Sequence, residues 1–208
     1  MKKFIFTLLL VLSLGFIIGC TSCKKEPVVK ELGAVELVVE NTISVDREYM
    51  FLNYGSDYRW YEAQILLNNY LDEESDGSIA EITNVFQAIV DRSEDGQSFD
   101  TRVIMITHKA DSTEVVVKDG FWIEDYSLNE EAITVTYAEA YEKVLEVNYP
   151  KPHSKHCVLR SEVGPKPANA QYIFGNLRYQ LYVDATTGEV TDKSPAFNGF
   201  GKPLGEWP

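Results

Sequence analysis

Thr101-Arg102-Val103-Ile104-Met105-Ile106-Thr107, then a polar break at Lys109-Ala110-Asp111-Ser112, then Glu114-Val115-Val116-Val117-Lys118 read as two β-rich runs joined by a short loop. That arrangement predicts an antiparallel hairpin. Outward from it, Asp76-Gly77, Asp95-Gly96 and Asp119-Gly120 are turn dipeptides at regular intervals. Ser78 to Asp91 reads as a strand, with Ile79, Glu81, Thr83, Val85, Gln87 and Ile89 on one face and Ile82, Phe86, Ala88 and Val90 on the other. Trp60 to Leu71 fits two templates. Tyr61, Ala63, Ile65 and Leu67 alternate as in a strand, while Trp60, Gln64, Leu67 and Leu71 form a helical stripe; the strand is the reading adopted. An antiparallel β-meander is therefore expected over residues 31–130.

The region 131–208 changes character. Thr136-Tyr137-Ala138-Glu139 is a capping box, and Tyr137, Tyr141, Val144, Leu145 and Asn148 follow at helical spacing until Pro150 and Pro152 stop the pattern. A strand over about Cys157 to Glu162 comes next. Gln171 to Phe174 and Leu177 to Val183 then flank Gly175-Asn176, the composition of a two-residue hairpin turn. The fold class expected is α+β, dominated by antiparallel sheet with a helix packed on it, either as one continuous sheet or as two.

The helix, the three strands and the closing string Tyr182-Val183-Asp184-Ala185-Thr186-Thr187-Gly188-Glu189-Val190 resemble a PepSY-type domain over roughly residues 133–192. In that string Asp184 is expected to cap a turn, Gly188 to take the left-handed conformation and Val190 to return the chain to the sheet. The resemblance implies an exported binding or regulatory module acting on a protein or peptide, with peptidase regulation as one such role. It implies no catalytic residues.

Met1-Lys2-Lys3 precedes an apolar stretch that closes with Ile17-Ile18-Gly19-Cys20, which resembles the lipobox of bacterial lipoproteins. The resemblance implies a signal peptide over residues 1–19, lipidation of Cys20, and a lipidated tether over residues 20–30. A diacylated residue anchors a domain where one acyl chain would bind only marginally. Loss of Lys2 and Lys3 leaves 17 basic against 32 acidic residues, a net charge of −15. No acidic run follows Cys20, which favours the periplasmic face and leaves display on the cell surface open. So acidic a domain repels phosphate backbones, so nucleic-acid binding is not expected. A mean hydropathy of −0.18 leaves no polytopic membrane protein to consider.

Chemistry-bearing motifs are sparse. His153, His156 and Cys157 could converge from a Pro-constrained loop on zinc or copper, against the plainer reading of a structural loop with a buried thiol; Lys155 would oppose a cation there. The acidic run Asp72 to Gly77 has Thr83 where a calcium loop needs a bidentate Glu, and reads as a solvated turn. No hydrolase, zinc-protease or phosphate-loop motif is present, and no enzyme activity or cofactor is expected. Aromatic clusters at Tyr58, Trp60, Tyr61, Phe121, Trp122 and Tyr126, with Tyr182 and Asp184 on the C-terminal hairpin, are the candidate recognition residues. A glycan or metal is the alternative ligand class. The C-terminal tail from Phe197 to Pro208 is expected to lie as an irregular strap.

Overall fold

The computed structural model describes residues 32–71, 75–93, 99–122, 126–161 and 169–195. Cys20 and its tether, the acidic run at residues 72–74 and the C-terminal strap lie outside the described residues. The order is α1 (Val39–Tyr54), β1 (Tyr58–Leu67), β2 (Ile79–Arg92), β3 (Phe99–Lys109), β4 (Ser112–Asp119), a short 3-10 turn (Glu130–Ala132), α2 (Tyr137–Glu146), β5 (His156–Ser161), β6 (Ala170–Asn176), β7 (Tyr179–Asp184) and β8 (Val190–Thr191). All eight strands form one antiparallel sheet in the order β4-β3-β2-β1-β5-β6-β7-β8. The regions 31–130 and 131–208 thus share a single sheet, joined by β1 against β5. Each contributes a helix followed by four strands, so the element order is written twice.

Residues paired across the ladders show which side each occupies. Ala63, Ile65, Ile82, Phe86, Ile104, Ile106, Cys157, Leu159, Tyr172, Phe174, Leu181 and Val183 point to the face that carries both helices and form the core with Met50, Tyr137, Tyr141 and Val144. Rings of Tyr137, Tyr141, Tyr172 and Phe174 meet at centroid distances of 6.1 to 6.4 Å. The opposite face carries Glu62, Gln64, Val85, Gln87, Val103, Met105, Val116, Val158, Arg160, Gln171, Ile173 and Tyr182, a mixed set that no described helix covers.

The β3–β4 hairpin forms as expected, with Lys109 opposite Ser112, and the strand reading of Trp60 to Leu71 holds as far as Leu67. The capping box is complete: the Thr136 amide donates to Glu139 Oε2 at 2.8 Å and the Glu139 amide to Thr136 Oγ1 at 3.2 Å. The helix stops at Glu146, two residues short of the expected Asn148. Asp184 Oδ1 accepts from the amides of Thr186 and Thr187, Gly188 has φ 74°, and Val190 pairs with Val183, as the closing string predicted.

Two expectations are corrected. The described stretch 32–57 is not part of a meander, because Val39–Tyr54 is helical. Its buried positions Val39, Thr42, Asp46, Tyr49 and Met50 have perfect helical spacing, yet two are polar and the N-cap residue Val38 offers no side-chain bond, so neither amphipathicity nor a start signal marks it. The second hairpin turns at Leu177-Arg178 rather than Gly175-Asn176: Gly175 pairs with Gln180 and Asn176 with Tyr179. Gly175 is needed because a Cβ there would collide with the backbone of Tyr179. Asn176 opens the turn by accepting the Arg178 amide at 2.9 Å, leaving Leu177 90% exposed.

Candidate functional site

The ladder between β1 and β2 slips between Trp60 and Glu62, a β-bulge that re-aims the side chains on either side. Before the bulge Trp60 is buried on the helix face, its indole donating to the Glu62 carbonyl at 2.9 Å, and Tyr58 meets Phe86 edge-on at 5.9 Å. After it Glu62 turns to the opposite face. An open cleft of about 330 Å³ lies at this end of β1, lined by Arg47 and Phe51 of α1, Ser56, Tyr58, Arg59, Trp60, Leu128 and Glu130. The Leu128 amide donates to the Trp60 carbonyl at 2.8 Å, and Arg47 is ion-paired with Glu130, so the segment after β4 forms one wall. Phe51 is 60% exposed on the rim, and Arg59 anchors one guanidinium N–H on the Tyr58 carbonyl at 2.7 Å. Aromatic faces beside guanidinium groups are what a groove needs to hold an apolar group next to a carboxylate or carbonyl.

Behind the bulge, Glu62 is buried on the helix-free face. Its Oε1 accepts from Gln64 Nε2 at 2.6 Å, and Arg160 Nη1 lies 3.9 Å from Oε2. Burial raises its pKa, opposed by the Gln64 bond, the Arg160 charge and the Trp122 indole. The Trp122 amide donates to Gln87 Oε1 at 2.9 Å, which fixes the strap leading out of β4 against this face. Of the expected recognition residues, Tyr58 and Trp60 line the cleft, Tyr61 sits half-buried in the bulge, and Trp122 lies on the other side of the sheet near Glu62. Phe121, at 68%, and Tyr126 are exposed. Tyr182 and Asp184 lie elsewhere, on β7, with β5 and β6 between them and β1. Tyr182 is buried and donates its hydroxyl to Gln180, while Asp184 serves its turn. Burial alone would raise the Asp184 pKa, but the amides of Thr187 and Thr186 with Asn169 and Gln171 outweigh it and hold the carboxyl below its ordinary range.

His153, His156 and Cys157 do not converge. His153 stacks on Tyr70 with centroids 4.0 Å apart, His156 is exposed at the start of β5, and Cys157, next in the pleat, is fully buried on the opposite face against Phe174. Burial pushes the Cys157 thiol well up, countered only in part by a bond with the Ile173 backbone. No group of three metal-competent side chains occurs among the described residues. The Lys155 ammonium is spent on the Asn68 carbonyl at 2.6 Å and over the Tyr70 ring.

Sequence reading did not find the buried polar network beneath α1. His108 Nε2 lies 2.8 Å from Asp46 Oδ1, Asn84 Nδ2 donates to Asp46 Oδ2 at 2.7 Å and to Thr42 Oγ1 at 3.2 Å, and all four side chains are fully buried. Thr113 Oγ1 lies 3.1 Å from His108 Nδ1 and donates its single proton to the Gly33 carbonyl at 3.0 Å. The hydroxyl therefore accepts from Nδ1–H, and one further proton is shared between Nε2 and the carboxylate. Burial raises the Asp46 pKa against the pull of His108 and Asn84. A hydroxyl, an imidazole and a carboxylate in a row suggest nucleophilic catalysis, but here the ring donates to the hydroxyl instead of taking its proton, so this arrangement pins α1 to β2 and β3.

Compared with protein-family models, curated proteins and solved structures, the chain has no match.

Proposed function

We propose that the chain is a lipid-anchored, non-enzymatic binding protein of the cell envelope that recognises a protein or peptide through the cleft at the bulge of β1. The observation that carries this reading is the exposed Phe51 beside Tyr58, Trp60 and Arg59 in a cleft open to an elongated partner. Its anchor is the lipidated Cys20, by resemblance to the lipobox, which holds the domain at the periplasmic face or the outer surface of the outer membrane. The PepSY-like reading of the C-terminal half, and the repetition of its helix-and-four-strand order in the N-terminal half, support a regulatory module, with peptidase regulation as the role implied. The one hydroxyl–imidazole–carboxylate row among the described residues has its imidazole and carboxylate fully buried and its ring donating to the hydroxyl, which supports a binding role over hydrolysis.

The test combines in-cell photo-crosslinking from position 56, on the lining of the cleft, in the full chain with Phe51→Ala and Arg59→Glu variants. A single cross-linked protein lost in both variants, at unchanged thermal midpoint, is the expected result; a product that both variants retain sinks this site. For the anchor, Cys20→Ser is expected to release the chain from the membrane fraction. A second reading, a glycan or other small ligand, draws on the cleft volume, which falls in the range of small-molecule sites. Saturation-transfer contacts from a sugar to Tyr58 and Phe51, with no protein cross-link, would favour it.

A further inference from the structure

The two edges of the sheet are finished differently. At one end β8 is two residues long and pairs only with Tyr182 and Val183. At the other, β4 runs for eight residues, Ser112–Asp119, in unbroken register with β3, without proline or bulge. Native sheets blunt exposed edges with short strands, prolines, bulges or charges. Here only charges are present, and their placement is self-complementary.

The Gly120 amide donates to the Thr101 carbonyl at 3.0 Å. Alternation along an antiparallel strand then aims the backbone groups of Glu114, Val116 and Lys118 at β3 and those of Thr113, Val115, Val117 and Asp119 outward. Glu114 and Lys118 stand two residues either side of Val116 and share its face, opposite Thr107, Val103 and Met105 respectively. Val117, 45% exposed, lies on the other face beside Val115.

We infer that β4 pairs antiparallel with β4 of a second copy of this chain about a two-fold axis through Val116, joining two eight-stranded sheets into one. In that register Glu114 faces the partner's Lys118 and Lys118 the partner's Glu114. Val116 meets its own copy, and Val115 packs beside the partner's Val117. The outward backbone groups of Val115 and Val117 exchange hydrogen bonds, and so do those of Thr113 and Asp119. Registers displaced either way that still match these groups set Glu114 opposite Val116 or Gly120, and the charge pairing is lost. Charged residues that would repel a foreign strand thus select an identical one.

The experiment uses the full chain purified in detergent. Sedimentation should give a dimer; Glu114→Lys, which sets like charges at both symmetric positions, should weaken it about tenfold or more, and the exchange Glu114→Lys with Lys118→Glu should restore it. Both side chains exchanged in the charge variants, Glu114 and Lys118, are exposed, so folding is not at stake. In a Cys23→Ser background, Val116→Cys should form a disulfide-linked dimer under mild oxidation. The Cα atoms of such a non-hydrogen-bonded pair stand about 4.5 Å apart, within disulfide reach. Val117→Cys should not, since its own copy lies roughly 8 Å away. A monomer at tens of micromolar (roughly the range of weak pairing), a dimer indifferent to the charge reversal, or equal cross-linking at positions 116 and 117 would each overturn the inference.

Discussion

Replacing His108 by leucine removes the imidazole that faces Asp46 at 2.8 Å and leaves a buried carboxylate held only by Asn84. Breaking a fully buried pair by removing one partner costs about 3–5 kcal/mol, because the remaining charge has lost its compensation. Asp46→Leu strands the imidazole at a similar cost. The double variant leaves no charge, only Asn84 and Thr113 short of partners, at about 1–3 kcal/mol, so the two single costs must fall far short of adding. For a chain of this size the His108→Leu loss corresponds to a drop in Tm of roughly 6–20 °C. Burial raises the Asp46 carboxyl above its ordinary 3.8, so its contribution to stability is present below that value and lost as pH rises through the folded-state pKa. With the imidazole gone the carboxyl rises further, and the deficit of His108→Leu should shrink on going from pH 7 to pH 4. Urea unfolding followed by tryptophan fluorescence at both pH values reads all four corners of the cycle. Additive single costs, or a His108→Leu deficit below about 1 kcal/mol at pH 7 that pH does not alter, would refute the account of this network.

Glu62→Gln should gain in Tm relative to the unaltered chain as pH rises from about 4.5 towards neutrality, since burial raises the Glu62 pKa and the ionised form is the costly one; scanning calorimetry at pH 4 and pH 7.5 reads the difference, and a constant offset would count against it. Thr136→Ala, which removes half of the capping box, should cost about 1 kcal/mol and show as faster amide exchange in the first turn of α2. Cys157 should resist alkylation in the native protein and react only in denaturant, and labelling at native rates would contradict its placement under Phe174.

Where local chemistry was strong, the sequence was enough. The Thr136 to Glu139 box, the turn string from Asp184 to Val190 and the valine-rich run before Asp119 carry their structure in residues at most a few positions apart, through caps, turns and β-branched alternation. α1 escaped notice because two positions on its buried stripe are Thr42 and Asp46, whose partners Asn84 and His108 lie 42 and 62 residues away. A polar residue can face a core only when a distant one satisfies it, and a single strand of text does not show that pairing. The proposed recognition cleft was half legible. Tyr58 and Trp60 stood out as aromatics, but the bulge that separates them from Glu62, and the helix that brings Arg47 and Phe51 alongside, exist only in the assembled sheet.

The sequence by itself determined the α+β class, the capped second helix, the strand-rich character and the strongly acidic balance, because each follows from composition or short-range periodicity. Only the tertiary structure decided that both halves complete one sheet through β1 and β5, that the imidazole of His108 lies buried under α1, and that His156 and Cys157 part to opposite faces. The reason is physical: register and burial are properties of pairs far apart in the chain, and their free energy appears only when the partners meet.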